Sequence, residues 1–207
     1  MRIFYLVIVL LLILINVSCK HSSSQLSANE NIGQEDSLKI VTAFTPPFEK
    51  ADSVFLSLHK AMEKKENALN LLKANYAKIL IMTGQLAKAD SLVSQSIGTL
   101  GFDSLSLAYA RFANLKAALA AYQQDQEAAI AYYKQALQIF ENHNDVKNTA
   151  SVSFNIANIF LSHLNYPMAY QYSSVAVKGF QAIKDTLYFP SALAVNAVAS
   201  IALEKRE

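Results

Sequence analysis

Apolar positions along this chain recur with the spacing of an amphipathic helix, not with the alternation of a strand. Ala129, Tyr132, Tyr133 and Ala136 fall at i, i+3, i+4 and i+7 and so share one stripe of a helix. That stripe is copied further on. The step from Tyr132 to Tyr172 is the same as those from Ala136 to Ala176, from Phe140 to Phe180 and from Asp145 to Asp185, and Ala89, Ala129 and Ala169 form a series with that interval. A helical pattern with a period of roughly 20 to 50 residues predicts a solenoid, in which each unit buries its apolar face on its neighbours. The alanines let backbones approach. The tyrosine rings fill the grooves beside them, with their hydroxyls directed toward solvent or a backbone carbonyl.

The clearest unit runs from Ala150 to Phe180, with Asn155, Ile156, Ala157 and Phe160 on its first helix and Tyr166, Ala169, Tyr172 and Ala176 on its second. The unit before it matches well in its second helix, through Ala129, Tyr132, Tyr133, Ala136 and Leu137. Its first helix, the alanine-rich Leu115–Ala121, matches poorly, and an extra residue between the two helices is the expected reason. The first full unit carries Ala77, Leu80, Gly84, Leu86, Ala89, Leu92 and Ile97, with Gly84 suited to a helix–helix turn that needs positive φ. Upstream, Phe48–Val54 reads FEKADSV, and just short of one interval later Leu86–Leu92 reads LAKADSL, which predicts one more second helix. Pro46 and Pro47 just before it imply that this N-terminal unit lacks a normal first helix. At the other end, Ser191–Glu207 reads as a further first helix introduced by Pro190, with Asn196 one place beyond a full interval from Asn155. Ala192, Leu193, Val195, Val198, Ile201 and Leu203 leave much of its circumference apolar, so either a second copy of the chain covers that face or the sequence is the front part of a longer protein.

Antiparallel helix pairs with small residues at their crossing and large apolar ones in the gaps resemble the tetratricopeptide repeat (TPR). The Ala150–Phe180 unit matches that family best and lacks only the usual closing proline. The resemblance covers roughly residues 48–207. It implies an all-α fold: a right-handed superhelical solenoid of antiparallel helix pairs, with a repeat of about 40 residues. About three full repeats are expected, with a partial one at each end. The resemblance also implies a concave face lined mainly by first helices. The corresponding positions are Leu71, Ala74, Lys78 and Ile81 in the first unit and Ser151, Phe154, Asn158 and Leu161 in the third. The middle unit offers either a smooth alanine wall or Arg111, Asn114, Ala118 and Tyr122, depending on register. Lys78, Ile81, Arg111, Asn114, Ser151, Phe154, Asn158 and Leu161 are the groove residues expected to meet a partner, and their few charges favour an apolar helix or an extended peptide. Some relatives hold a terminal carboxylate with a set of Lys and Asn, which Lys78 and Asn158 alone do not reproduce.

The N-terminus follows other rules. Arg2 precedes an unbroken apolar run from Ile3 to Ile15, followed by Asn16, Val17, Ser18 and Cys19. The run falls short of the roughly 17 to 25 residues that a membrane-spanning helix needs, so it reads as the h-region of a secretory signal. The sole cysteine of the chain falls where such a signal is cut. A small residue followed by Cys resembles a bacterial lipoprotein signal; Ser18 and Cys19 match it, while Asn16 stands where that family usually has Leu. The resemblance implies lipidation of Cys19 and an extracytoplasmic, membrane-anchored protein of the cell envelope, with Lys20 in place of Asp pointing to an outer membrane if the cell has two. Lys20–Ser37 is rich in Ser, Asn, Gln and Glu and reads as a flexible tether with a coil-like reach of about 21 to 25 Å. The expected domains are a signal over 1–19, a tether over 20–47 and the helical repeat domain over 48–207.

Composition narrows the function. With 53% apolar and 16% charged residues the chain has enough to pack a core, and its 5 Gly and 4 Pro favour helices over hairpins. A net charge of +2 with no basic run gives no footprint for nucleic acid. His21, His59, His143 and His163 show no metal-ligand spacing, Asn142–Asp145 lacks the alternating ligands of a calcium loop, and no phosphate loop or nucleophile elbow is present. The expectation is therefore a non-enzymatic chain without cofactor or metal: a scaffold or adaptor that holds a protein or peptide in its concave groove, reaches the membrane through its lipid, and self-associates through its last helix if a second copy covers it. The rival expectation is the sensory input region of a longer signalling protein, such as a histidine kinase or transcriptional regulator.

Overall fold

The structure, a computed structural model, describes residues 34–43, 48–100 and 105–204; the signal-like run, Cys19 and the tether up to residue 33 lie outside them. All regular structure among the described residues is helical. In chain order the helices are α1 (Gln34–Ala43), a short 3-10 turn (Phe48–Lys50), α2 (Ala51–Met62), α3 (Glu66–Met82), α4 (Leu86–Leu100), α5 (Leu107–Tyr122), α6 (Gln126–Asn142), α7 (Val146–Ser162), α8 (Tyr166–Ala182) and α9 (Phe189–Glu204). They form two compact units, Met1–Gly101 and Phe102–Glu207, so the span read as one repeat domain divides near Gly101.

In the first unit α1, α2 and α4 all pack against α3. Ile40, Met62, Leu72, Ala77, Leu80, Ala89 and Val93 are fully buried. Helix α1 changes one expectation. Residues 34–43 are not tether but a ten-residue helix, which packs on α3 and is not the first helix of a regular pair with α2. Burial of Ile40 and an ion pair from Lys65 Nζ to Asp36 Oδ2 at 2.6 Å hold α1 in place, neither of which a polar-looking composition reveals. The two Lys-Ala-Asp-Ser copies meet each other across this unit. Asp52 of the first accepts from Lys88 Nζ of the second at 2.7 Å and from the Tyr76 hydroxyl at 2.5 Å. Lys88 also lies 5.4 Å from the Tyr76 ring centroid, and Phe55 stacks on that ring at 4.1 Å. The Lys88 ammonium, and after it the Tyr76 hydroxyl, hold the Asp52 carboxyl below its ordinary range. Both charges are about half exposed, so the pair sets the register of α2, α3 and α4 more than it adds stability.

In the second unit each of α5 to α8 packs on the next in sequence, and α7 also touches α9. Helices α6, α7 and α8 have 17 residues each, about 25 Å of helix, and three-residue connectors join α5 through α8. These connectors share one geometry. Gln124, Asn144 and Leu164 adopt positive φ, as do Lys184 after α8 and Gly84 in the first unit. At each, the next residue donates its amide back to the carbonyl five before it: Asp125 to Ala120, Asp145 to Phe140, Asn165 to Phe160, Asp185 to Phe180 and Gln85 to Leu80. This is a Schellman closure of the departing helix. In the second unit the same residue then caps the arriving helix at three of these connectors, where Asp125, Asp145 and Asn165 accept from the amides of Ala128, Asn148 and Met168, while Asp185 accepts from Leu187 and Tyr188 in the turn ahead of α9. One residue therefore ends one helix and starts the next. In the first unit Lys50 and Lys65 occupy the capping positions of α2 and α3 and make no side-chain cap.

The common connector fixes the register of the middle unit. Gln124 and Leu164 are separated by the same interval as Ala129 and Ala169, so α5 and α6 are joined without the extra residue expected from the sequence. The alanine-rich first helix obeys the same period, since Ala77, Ala117 and Ala157 are all fully buried, as are Leu72, Phe112 and Val152. The second helices keep it too, through Ala89, Ala129 and Ala169 and through Ser96, Ala136 and Ala176. Tyr133 departs from expectation: it is buried, and its hydroxyl meets the Asn155 side chain instead of solvent or a carbonyl. Burial first, then the neighbouring Tyr122, pushes that phenol far above its usual range, and the Asn155 hydrogen bond opposes the shift.

Gly179 sits at a close approach of α8 to α7. A Cβ built there would stand 2.7 Å from the Ala150 Cβ and 3.5 Å from the Val146 carbonyl oxygen. Helix propensity alone would make Gly179→Ala stabilising by about 1 kcal/mol. Overpacking against Ala150 reverses that sign, and thermal or denaturant unfolding should show Gly179→Ala less stable by about 1 to 3 kcal/mol.

Candidate partner-binding surface

The expected groove positions lie on α3, α5 and α7, in two units that are taken separately. On α3, Lys78 is exposed, whereas Ile81 is buried, as are Leu71 and Ala74. On α7, Phe154 is buried and meets Phe180 edge-on at 6.4 Å between ring centroids, while Ser151, Asn158 and Leu161 are half-buried. Ile81 and Phe154 are thus core residues, not groove residues. First helices of this fold are packed on more than one side, so an apolar residue one step from the expected groove stripe is drawn inward.

The repeat register places Arg111, Asn114 and Ala118 at the positions of Ser151, Phe154 and Asn158 and leaves Tyr122 off the stripe, since Ala121 matches Leu161. Arg111 and Asn114 are half-buried. The Asn114 Oδ1 is itself fully covered and accepts no hydrogen bond. Asn158 Nδ2 donates to the Phe154 carbonyl at 2.9 Å and the Ser151 hydroxyl to the Lys147 carbonyl at 2.9 Å, which fixes both side chains on their helix. What survives of the expected surface in the second unit is Arg111, Asn114, Ser151, Asn158 and Leu161. It is polar and short of charge. Ile81 in the first unit and Phe154 in the second add no exposed apolar lining, and Leu161 is the apolar residue left among the expected positions of the second unit.

The histidines within the described residues serve helix ends and packing. His143 Nε2 lies 3.1 Å from the Leu105 carbonyl, His163 Nδ1 2.7 Å from that of Ile159, and the His59 ring 5.4 Å from Phe55. Among the described residues no group of His, Cys, Asp and Glu is placed to hold a metal ion, and no helix is long and apolar enough to cross a membrane.

Sequence reasoning missed a polar contact that links neighbouring helices. Asn196 Nδ2 on α9 donates to Ser173 Oγ at 3.0 Å and Ser174 Oγ at 2.9 Å on α8, and lies 3.5 Å from the Tyr170 carbonyl. Its counterpart is Asn155 on α7, which meets Tyr133 on α6. Tyr133 and Ser173 occupy the same place in successive repeats and both are buried, so α6 and α8 each present a hydroxyl from that place to an Asn of the following first helix, with Ser174 adding a second on α8. The near-regular interval between Asn155 and Asn196 is visible in the sequence; their partner positions are not, because Ser and Tyr share no obvious pattern.

No family model matches the chain, and no curated protein matches it at a significant level. Among solved structures it is similar to the crystal structure of BtubC (BKLC) from P. vanneervenii, with a TM-score of 0.66 over 91% of this chain and 85% of that one, at 15% identity. The class these observations define is all-helical packing of consecutive helices. The likeness to BtubC is one of fold alone.

Replacing Asn196 with Ala should cost about 1 to 3 kcal/mol, because it strands the fully buried Ser173 hydroxyl on one side. In a double-mutant cycle with Ser173→Ala, read by denaturant unfolding, the combined loss should be less than the sum of the two, as expected for groups in direct contact.

Proposed function

We propose that this chain is a tetratricopeptide-type solenoid that serves as a protein-binding scaffold, held at the cell envelope by a lipidated Cys19. The observation that carries the repeat reading is the burial of matching small residues in both helices of successive units: Ala77, Ala117 and Ala157 in the first helices, Ala89, Ala129 and Ala169 in the second. Small residues held at that interval keep helix pairs close and identically spaced, which is what a repeat surface for protein recognition requires. The anchor reading rests on the run Ile3–Ile15 and the position of Cys19 after Ser18. The partner this surface suits best is an extended peptide. Arg111, Asn114, Ser151 and Asn158 offer amide, hydroxyl and guanidinium groups on first helices of successive repeats, which read a peptide backbone or a carboxylate better than an apolar helix.

Two measurements test the two halves of the reading. In cells fed a labelled fatty acid, Cys19→Ser should abolish acyl labelling and leave the chain unprocessed or released; label that persists on the variant overturns the anchor. For the scaffold, the intact protein is used to retain partners from envelope extracts. Arg111→Glu should then weaken retention by about tenfold, the loss of a contact worth ~1.4 kcal/mol, while Lys134→Glu on the exposed side of α6 leaves it unchanged. Equal retention by both variants overturns the assignment of the surface.

A further inference from the structure

The two Lys-Ala-Asp-Ser copies sit on helices that are buried to different depths. In the copy on α4, Ala89, Val93 and Ser96 form an i, i+4, i+7 stripe that is buried along its whole length. The same places on α2 are Ala51, Phe55 and Leu58, and all three are half-buried. Among the described residues of α2, Met62 in the last turn is the buried one. On α6, by contrast, Ala129, Tyr133, Ala136, Leu137, Ile139 and Phe140 are all buried. The start of α2 is no firmer. Lys50 stands at its N-cap and supplies no side-chain cap, whereas α6, α7 and α8 each start from an Asp or Asn that does. An uncapped start leaves its amides to water and lets the first turn fray.

What holds the first turn of α2 comes instead from two other helices. Asp52 accepts from the Tyr76 hydroxyl on α3 and from Lys88 Nζ on α4, and Phe55, one turn on, stacks on the Tyr76 ring. Tyr76 itself is 3% exposed. With Leu72 it occupies the places of Val152 and Ile156 on α7, which share a core cluster with Ala129, Tyr133 and Ala136 of α6. Helix α2 therefore covers on α3 the stripe that α6 covers on α7, with far less of itself buried and a polar grip in place of a cap. Segments with few buried apolar side chains open before the rest of a fold. We propose that α2 is a detachable strap, which leaves α3 while α3 and α4 stay folded, and that the grip of Tyr76 and Lys88 on Asp52 sets how often it does so. Opening bares the Tyr76 ring and the α3 face around it, so the first unit alternates between a closed face and an apolar one. The grip suits a reversible contact, since its two charges are about half exposed, weak enough to release and directional enough to restore the register on closing. The strap belongs to the first unit and does not depend on what α5 and α7 bind.

The test is hydrogen exchange of the full chain in detergent, read by mass spectrometry on peptides from each helix. Amides of Ala51–Met62 should exchange about tenfold faster than those of α3 and α4, as expected of a segment that opens on its own. Tyr76→Phe keeps the ring and removes the hydroxyl, and Lys88→Met keeps the stem and removes the charge. Neither alters α2 itself. Each should speed α2 exchange about three- to fivefold, the range for one partly exposed charged contact, and leave the rates of α3 and α4 unchanged. Ser91→Ala on the exposed side of α4 is the control and should leave α2 as it was. Exchange of α2 in step with α3 and α4, an α2 rate indifferent to both variants, or an equal rise across all three helices would each overturn the proposal.

Discussion

The second unit depends on one small device, the residue that closes a helix at its C-terminus and opens the next at its N-terminus. Helix ends leave carbonyls and amides without partners, and leaving one buried costs about 1 to 3 kcal/mol, comparable to a packing error. Asp125, Asp145 and Asn165 serve both ends from a single position, through a backbone amide directed backward and a side-chain oxygen directed forward. That compactness forces the chain to reverse at once, and with 17-residue helices it makes each helix and its turn a module of constant length. The preceding residue must adopt a left-handed conformation, which Gln124, Leu164 and Lys184 do without being glycine. A strain on the order of 1 kcal/mol at such a position is offset by a cap of similar worth.

Legibility in the sequence followed the same physics. The alanine series and the Asp145 and Asp185 pair were plain, because close helix contact tolerates few side chains and a cap tolerates few others. Gly84 announced its turn, yet Leu164 and Lys184 did not, since nothing about those side chains favours positive φ. The middle unit looked slipped because Leu115–Ala121 is so rich in alanine that several registers fit it; the turn at Gln124 removes the choice. Helix α1 was hidden by its polar neighbours, and it needs only Ile40 and an ion pair to dock.

The groove was the least legible part. A helix flanked on both sides by others is apolar on more than one face, so periodicity cannot say which apolar residue faces a neighbour and which faces a partner. Ile81 and Phe154 went to neighbours. The polar residues left on the first helices include two held by their own backbones, Asn158 and Ser151, whose side chains are thereby fixed on the helix.

The position shared by Val93, Tyr133 and Ser173 carries a consequence for how the repeats are ordered. All three are buried at the same place in successive second helices, although one is aliphatic, one a phenol and one scarcely larger than alanine. In the second unit each volume is matched locally: Tyr133 meets Asn155, and Ser173 is met by Asn196 reaching across from the next helix. The units are therefore alike in backbone and distinct in fit, as keys cut from one blank are. Shuffling them would conserve every turn and every alanine contact while setting the wrong side chain before each asparagine, so the linear order of the repeats is written into the core itself.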